Sequence, residues 1–458
     1  MILLLNLRRS ITMPNNKALP GPSLVACLIG LLKNKNNFLP LLEEQAKKYG
    51  DSFQAASFTN KIFFFKHPDQ IREIFIDKRD CFHNAFNKMR YFLGDGLITS
   101  EGDEWKTQRR QLQPIFSHEN LMTFATVMKD ECQKMINRWE SKLSDKLELD
   151  ISEEFLYASM NIASRAFFSM EIYETAPEIK ELLDIFMDYA ADGVRYPAFV
   201  SKLPTAKNKK VASVRESVDQ LLYALINKRR LLHEKNESQT NDMVDALILA
   251  RDAETGATLT DKDIRDQLIT FLIVGHETTA NLLTWTLYLL TQNPFAANQI
   301  RDEIAKLPAQ FTITPKASLD LQYTMRVYQE SLRLYPPAWI QTRKSIKECS
   351  IGGVNIPIGS RILVSSYLTH RHPEFWRDPE TFNPDRFLEE KTHKGAYYPF
   401  GIGPRSCIGQ YFAQMVYQTF IPKLLQRFSF ELAQNEIQLD SRVTLRPMGG
   451  LRLHISHF

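Results

Sequence analysis

The sequence predicts a mainly α protein with a minor β region, folded as one body. Three observations carry that reading: long stretches with apolar residues at helical spacing, β signals that are few and short, and no Gly/Ser-rich linker or repeat across 458 residues. Length alone suggests two or three domains, but nothing along the chain marks a boundary.

Residues 1–18 read as a loose leader, ended by the stiff turn Leu19-Pro20-Gly21-Pro22, which leaves 19–458 as a single domain. Ile2 to Leu5 is too short to form a signal segment or to span a bilayer, so no transmembrane anchor is expected and a soluble, cytoplasmic protein is the default. The apolar run Leu24 to Leu32 leaves two uses open, contact with a membrane surface or packing on the body. Helical spacing then marks Leu39 to Tyr49, Leu121 to Leu143, Ile151 to Met170, Val211 to Leu232 and Asp263 to Leu290. Strands are expected at Phe53 to Ser57, at Ile62 to Lys66 and within Ile351 to Tyr367, where Gly352-Gly353 supplies a turn. From Thr369 to Ala396 the chain has no clear period, and long irregular segments inside compact proteins tend to serve function.

Composition excludes several classes. Hydrophobic residues at 44% and charged residues at 24% are ordinary for a globular protein, and a net charge of +4 gives no basis for nucleic-acid binding. The cationic run Lys207 to Lys210 reads as a solvated loop. Five scattered cysteines without Cys-x-x-Cys spacing point away from a disulfide framework or a zinc site and towards a reducing compartment. Cys27, Cys81, Cys132 and Cys349 read as small packing residues.

Cys407 is different. It stands in Phe400-Gly401-Ile402-Gly403-Pro404-Arg405-Ser406-Cys407-Ile408-Gly409, directly before the apolar helical pattern Ile408 to Leu425. The glycines allow a tight turn and let the main chain pass close to a flat cofactor, with Gly409 one position inside the helix leaving room for a ring face. A thiol at a helix N-terminus receives backbone amides and the positive end of the dipole, which lowers its pKa. A dinucleotide fingerprint is rejected, because Ser406 occupies the third glycine position. The ten residues match, at every fixed position, the cysteine-loop signature Phe-x-x-Gly-x-Arg-x-Cys-x-Gly of the cytochrome P-450 family, which this chain resembles. The resemblance implies that family's fold, with haem b between a long central helix and the cysteine-loop helix, Cys407 as the thiolate ligand to iron, and Arg405 reaching a haem carboxylate.

The resemblance runs from about Leu19 to the C-terminus through three further motifs in the expected order. Inside the longest apolar helix lies Gly275-His276-Glu277-Thr278-Thr279, where Thr279 can bond back to the Gly275 carbonyl with no catalytic role. In the family, an acid–alcohol pair here relays protons to dioxygen, which implies Glu277 and Thr279 as catalytic residues, a widened helix at Gly275, and His276 turned away from iron. Val274 stands where the family usually has a small residue, so its methyl groups crowd one side of the expected substrate space. Glu330-Ser331-Leu332-Arg333 precedes Pro336-Pro337, and its spacing allows an ordinary surface ion pair. The resemblance implies instead a structural network of Glu330, Arg333 and Arg386. Trp105 and Arg109 share a helix face and match the family's propionate-binding pair, and Arg343 is in the position of another propionate arginine.

The expected activity is a monooxygenase that puts one atom of dioxygen into an apolar fatty acid, terpenoid or steroid-like substrate. The chain shows no flavin or nicotinamide site, so electrons from NAD(P)H are expected through a separate reductase, flavodoxin or ferredoxin, with a monomeric enzyme. Lys106, Arg109 and Arg110 are expected to attract that partner. Two rivals are a peroxide-driven or non-redox haem-thiolate enzyme, which Glu277 with Thr279 argues against, and a haem sensor, for which no output domain is visible. The substrate space is expected from the loop Cys81 to Leu97, the segment 191–204, Phe271 to Thr279 with Val274 and Gly275, Ala338 to Thr342, and the turn Pro447 to Gly450 with Met448.

Overall fold

The computed structural model describes residues 19–34, 37–56, 61–86, 89–171, 185–186, 189, 205–237, 242–307, 320–388 and 393–458. The leader 1–18 and the expected substrate segment 191–204 lie outside the described residues. The helices that matter for the site are α1 (Leu24–Lys33), α2 (Phe38–Tyr49), α3 (Gly102–Leu112), α4 (His118–Glu140), α5 (Ile151–Phe168), α6 (Ala206–Glu234), α7 (Asp261–Gln292), α8 (Gln322–Leu334) and α9 (Gln410–Arg427). Among the described residues no helix is long and apolar enough to cross a membrane.

Helix α7 is the centre of the molecule. A capping box starts it: the Thr260 hydroxyl accepts the Asp263 amide (3.2 Å), and the Asp263 carboxylate accepts the Thr260 amide (2.9 Å). It ends at Asn293, before Pro294 opens the next helix. Most of its residues are buried, without a break from Ile264 to Ile273. α5 packs along it most extensively, and α4 and α9 complete the main core.

The β region is larger than the sequence suggested. β1 (Ser52–Ala55), β2 (Ile62–Phe65), β8 (Arg361–Val364), β5 (Gln341–Ser345) and β3 (Phe82–Asn84) form one five-stranded sheet in that order, with only the β2–β8 pair parallel. Phe63 and Phe65 face one apolar cluster while Phe64 faces another, so β2 is covered on both sides and reads as a continuous apolar run. β6 (Cys349–Ile351) and β7 (Val354–Ile356) form the hairpin that Gly352-Gly353 turns. The strands β4 (Leu147–Asp150), β12 (Arg452–His457) and β9 (Phe428–Leu432) make a second sheet, and β10 (Leu439–Asp440) pairs with β11 (Arg446–Pro447).

One local expectation is corrected. The Lys207–Lys210 run is solvent-facing but belongs to the first turn of α6, where Thr205 caps the helix by accepting the Asn208 amide. A loop was expected from the charge run, yet helix caps tolerate such runs when the lysines stay in water. The apolar run after Pro22 is helix α1, packed on α2 through Gly30 and Leu41, with Val25 and Ile29 left exposed.

Candidate active site

The cysteine loop hangs between β8 and α9 and is built by three backbone bonds. The amides of Gly401, Ser406 and Cys407 donate to the carbonyls of Tyr398, Gly403 and Phe400 at 2.9, 3.0 and 2.8 Å. Gly403, at φ 79°, needs glycine twice over: its backbone is left-handed, and a Cβ would come within 2.6 Å of the Phe75 carbonyl oxygen. Gly409 caps α9 from outside instead of sitting one position within it, because the helix begins at Gln410.

The Cys407 side chain is accessible. Its thiol pKa is nonetheless raised, because protein surrounds the sulfur; the Gly409 amide and the Arg109 charge pull the other way without prevailing. The amides expected to hold a thiolate are present, but burial outweighs them.

The residues around Cys407 fit a haem. Helix α3 brings Arg109 to the loop, where its Nη1 donates to the Ser406 carbonyl (3.0 Å). Strand β5 brings Arg343, whose guanidinium lies 4.5 Å from the Phe75 ring centroid and, among the described residues, bonds the neighbouring Thr342 carbonyl (2.9 Å). Burial lowers the pKa of both arginines, that of Arg343 to about 10 with Arg405 adding to the effect. Among the described residues neither forms an ion pair with a carboxylate. Two desolvated cations without anions beside the cysteine loop suit a ligand that brings its own carboxylates. Arg405 is different: it stacks over Trp105 (4.4 Å) and is paired with Glu101, so the carboxylate in its reach is the protein's own. Phe400 stacks on Tyr328 of α8 (6.4 Å between centroids).

Across from the loop, α7 is α-helical straight through Gly275, without the widened turn expected there. The room comes from the missing side chain. A Cβ at Gly275 would meet only the Phe167 ring, at an ordinary 3.7 Å, so no protein atom requires a glycine there. Val274 is partly buried against the main core, and its carbonyl accepts the Thr278 hydroxyl (2.9 Å). His276 is buried and neutral, with burial holding its pKa at about 4 and Nδ1 facing the Leu272 carbonyl (2.8 Å).

Thr279 does bond back to the Gly275 carbonyl (3.1 Å). That bond does not single it out, since Thr270, Thr278, Thr284 and Thr286 settle their hydroxyls on the fourth carbonyl before them in the same way. Glu277 has unexpected company. Its Oε1 accepts the Thr444 hydroxyl (2.9 Å) and an Arg446 N–H (3.3 Å), and Arg446 in turn binds Asp440 (3.1 Å). Burial raises the Glu277 pKa, with Arg446 and Thr444 opposing it. Thr444, Arg446 and Asp440 were missed by the sequence reading; they come from the C-terminal hairpin, and no local pattern ties them to a helix so far back along the chain.

Behind the loop, Glu330 and Arg333 form a bidentate pair (2.7 and 2.8 Å) in which both side chains are fully buried. Arg386 adds a bond to the same carboxylate (3.1 Å), and Arg333 also donates to the carbonyls of His370, Pro379 and Thr381. This pins the long irregular segment that the sequence marked. Of the expected substrate residues, Ala338 is accessible between buried Pro337 and Trp339, and Met448 stands exposed at its turn. Two of the three α3 cations are already paired, Lys106 with Asp103 and Arg110 with Asp252 and Glu254, while Arg109 is turned to the cysteine loop.

Comparisons with known proteins agree with this geometry. The family model described as cytochrome P450 matches residues 19–451. Cyclooctatin synthase of Streptomyces melanosporofaciens is 32% identical over 375 residues, which cover 80% of this chain and 79% of that protein. Cyclooctat-9-en-7-ol 5-monooxygenase of the same organism is 32% identical over 371 residues, with coverage of 80% and 79%. The crystal structure of the cytochrome P450DA haem domain superposes with a TM-score of 0.84 at 25% identity, covering 96% of this chain and 99% of that one. With its cysteine loop facing the middle of a long buried helix, this chain belongs to the cytochrome P450 family and is a haem-thiolate monooxygenase.

Proposed function

We propose that the enzyme oxygenates a mostly apolar substrate of the terpenoid class, with electrons from NAD(P)H delivered by a separate redox protein. The relative whose name carries cyclooctat-9-en-7-ol supports the substrate class. So does the apolar wall that Phe116, Phe167 and Phe271 form by edge and tilted contacts at 5.4 and 6.2 Å, close to Gly275 and Gly409. Because Lys106 and Arg110 are paired and Arg109 is engaged with the Ser406 carbonyl, the redox partner's docking rests on shape and on the loop more than on a free basic patch.

Bound haem supplies dioxygen activation, with Cys407 as its thiolate ligand. The chain's own residues do the rest. Cys407 is held by its amide bond to Phe400, and Phe400 by Tyr328. Arg109, Arg343 and Trp105 hold the propionates, while Arg405 fixes the loop to Glu101. Thr279 Oγ1 passes a proton towards the reacting oxygen, and Glu277 resupplies it. Glu277 has both its bonds on Oε1, which leaves Oε2 to exchange protons. The single observation that carries the relay is this buried carboxylate, raised in pKa and linked by half-exposed Arg446 to the surface.

The test is the stoichiometry of Thr279→Ala. The relay reading expects reductant consumption to continue while product per electron falls and peroxide accumulates; Thr279→Ser should restore coupling. Unchanged coupling in Thr279→Ala would leave the threonine with its helix bond alone.

A further inference from the structure

Two cysteines with no part in oxygen chemistry meet at one corner of the five-stranded sheet. Cys81 ends a short turn, Arg79–Cys81, directly before β3. Its carbonyl accepts the Ile346 amide (2.8 Å), which extends the β3–β5 ladder one step beyond the Phe82–Ser345 pair. The chain then turns through Lys347 and Glu348 to Cys349, the first residue of β6. A second tether reaches the same corner: Lys78 Nζ donates to the carbonyl of Ser350, next to Cys349, and is held by Glu73 (2.7 Å). The two tethers bracket the pair, and the Lys78 carbonyl of the same tether accepts the Cys81 amide (2.9 Å). Both side chains are partly buried against one apolar cluster that includes Ile74, Phe75 and Phe82.

We propose that Cys81 and Cys349 form a peroxide-sensitive dithiol that closes into a disulfide, with hydrogen peroxide as the oxidant. Burial, and then the neighbouring Cys81, push the Cys349 thiol up to about 12, so Cys349 is the resolving sulfur and the first attack on peroxide is assigned to Cys81. The Cys81 thiolate takes one oxygen of the peroxide: the S–O bond forms, the O–O bond breaks, and hydroxide leaves as water with the proton Cys81 shed. The Cys349 sulfur then attacks the Cys81 sulfur, the S–O bond breaks as the S–S bond forms, and the hydroxyl leaves as a second water with the proton of Cys349. Two thiols lose two electrons and one peroxide becomes two waters. A monooxygenase is a local source of this oxidant whenever two electrons reach dioxygen and no substrate accepts the oxygen.

The corner abuts the cofactor site. The turn Glu73–Asp77 beside the pair carries Phe75, whose carbonyl packs on Gly403 and whose ring lies under Arg343. A bridge from Cys81 to Cys349 restricts the unfolded chain over the long stretch between them and fixes this turn.

The haem-loaded protein is treated with a stoichiometric amount of hydrogen peroxide, its free thiols are alkylated after denaturation, and its peptides are weighed. The expected result is one cross-linked peptide joining Cys81 and Cys349, lighter by two hydrogens and reversed by dithiothreitol, with Cys132 still alkylated and Tm raised. In Cys349→Ser, dimedone should trap a sulfenic acid on Cys81. Full alkylation of both cysteines after peroxide, or their separate overoxidation without a cross-link, overturns the proposal. The carbonyl spectrum recorded before treatment reports Cys407 ligation, so failure of the dithiol and failure of the haem-thiolate assignment give different results.

Discussion

The Arg446 guanidinium lies 3.3 Å from the Glu277 carboxylate and joins the C-terminal hairpin to the middle of the central helix. The same arginine binds Asp440 at 3.1 Å, and Arg442 binds Asp440 from the other side (2.7 Å). One half-exposed cation is thus shared by two buried acids, and Thr444 bridges Glu277 to Asn281 (3.0 Å).

Removing that cation should move the proton chemistry. Burial raises the Glu277 pKa and Arg446 opposes it, so Arg446→Met should raise it further. The limb of coupling against pH that belongs to Glu277 should move to higher pH, and difference infrared titration of its carboxyl band should report a shift in the same direction. The sign for stability follows. A carboxyl with a raised folded pKa stabilises below its unfolded value of 4.5 and loses that contribution as pH rises through the folded value. Arg446→Met should therefore lower Tm more at neutral pH than at acid pH, whereas a uniform drop would mark a simple packing loss.

Glu330 and Arg333 are each fully buried, so removing one leaves the other as an unpaired charge. Glu330→Ala or Arg333→Ala should cost about 3–5 kcal/mol and yield little haem-loaded protein. Normal expression and spectrum from both variants would mean that the segment is held without the Glu330–Arg333 pair.

Arg343 offers a test of opposite signs in the same molecule. As a buried cation without an anionic partner among the described residues, it burdens the protein before cofactor binds, so Arg343→Met should raise the Tm of the apoprotein. With haem bound, the same change should speed haem transfer to a scavenging globin by roughly 10- to 100-fold, the range for one hydrogen bond to a charged group. Faster apoprotein unfolding together with unchanged haem loss would remove Arg343 from the propionate site.

How far the sequence foretold all this depended on whether the determining contacts were local. Helices α2, α4, α5 and α7 were legible within a few residues, because a buried stripe repeats every three or four positions and caps such as Thr260 and Asp263 lie beside it. The cysteine loop was legible for the same reason: its glycines, Arg405 and Cys407 are consecutive. Strands β9 to β12 were missed, since each is short and is defined by partners distant in sequence, as Leu453 is by Leu149 and Leu432. The site failed in the same way. Glu277 was found on its helix, but Thr444 and Arg446 were not, and Glu101 as the partner of Arg405 was not. The local amides promised an acidic thiol at Cys407, and only the three-dimensional surroundings show burial outweighing them.

The central claim is that Cys407 ligates haem iron as a thiolate, and the absorption spectrum of the reduced carbonyl complex tests it most directly. The account predicts the far-shifted Soret band of thiolate ligation in the native protein and its loss in Cys407→His, with haem retained. A native spectrum of the histidine-ligated type, or a Cys407→His variant that keeps the shifted band, would contradict it.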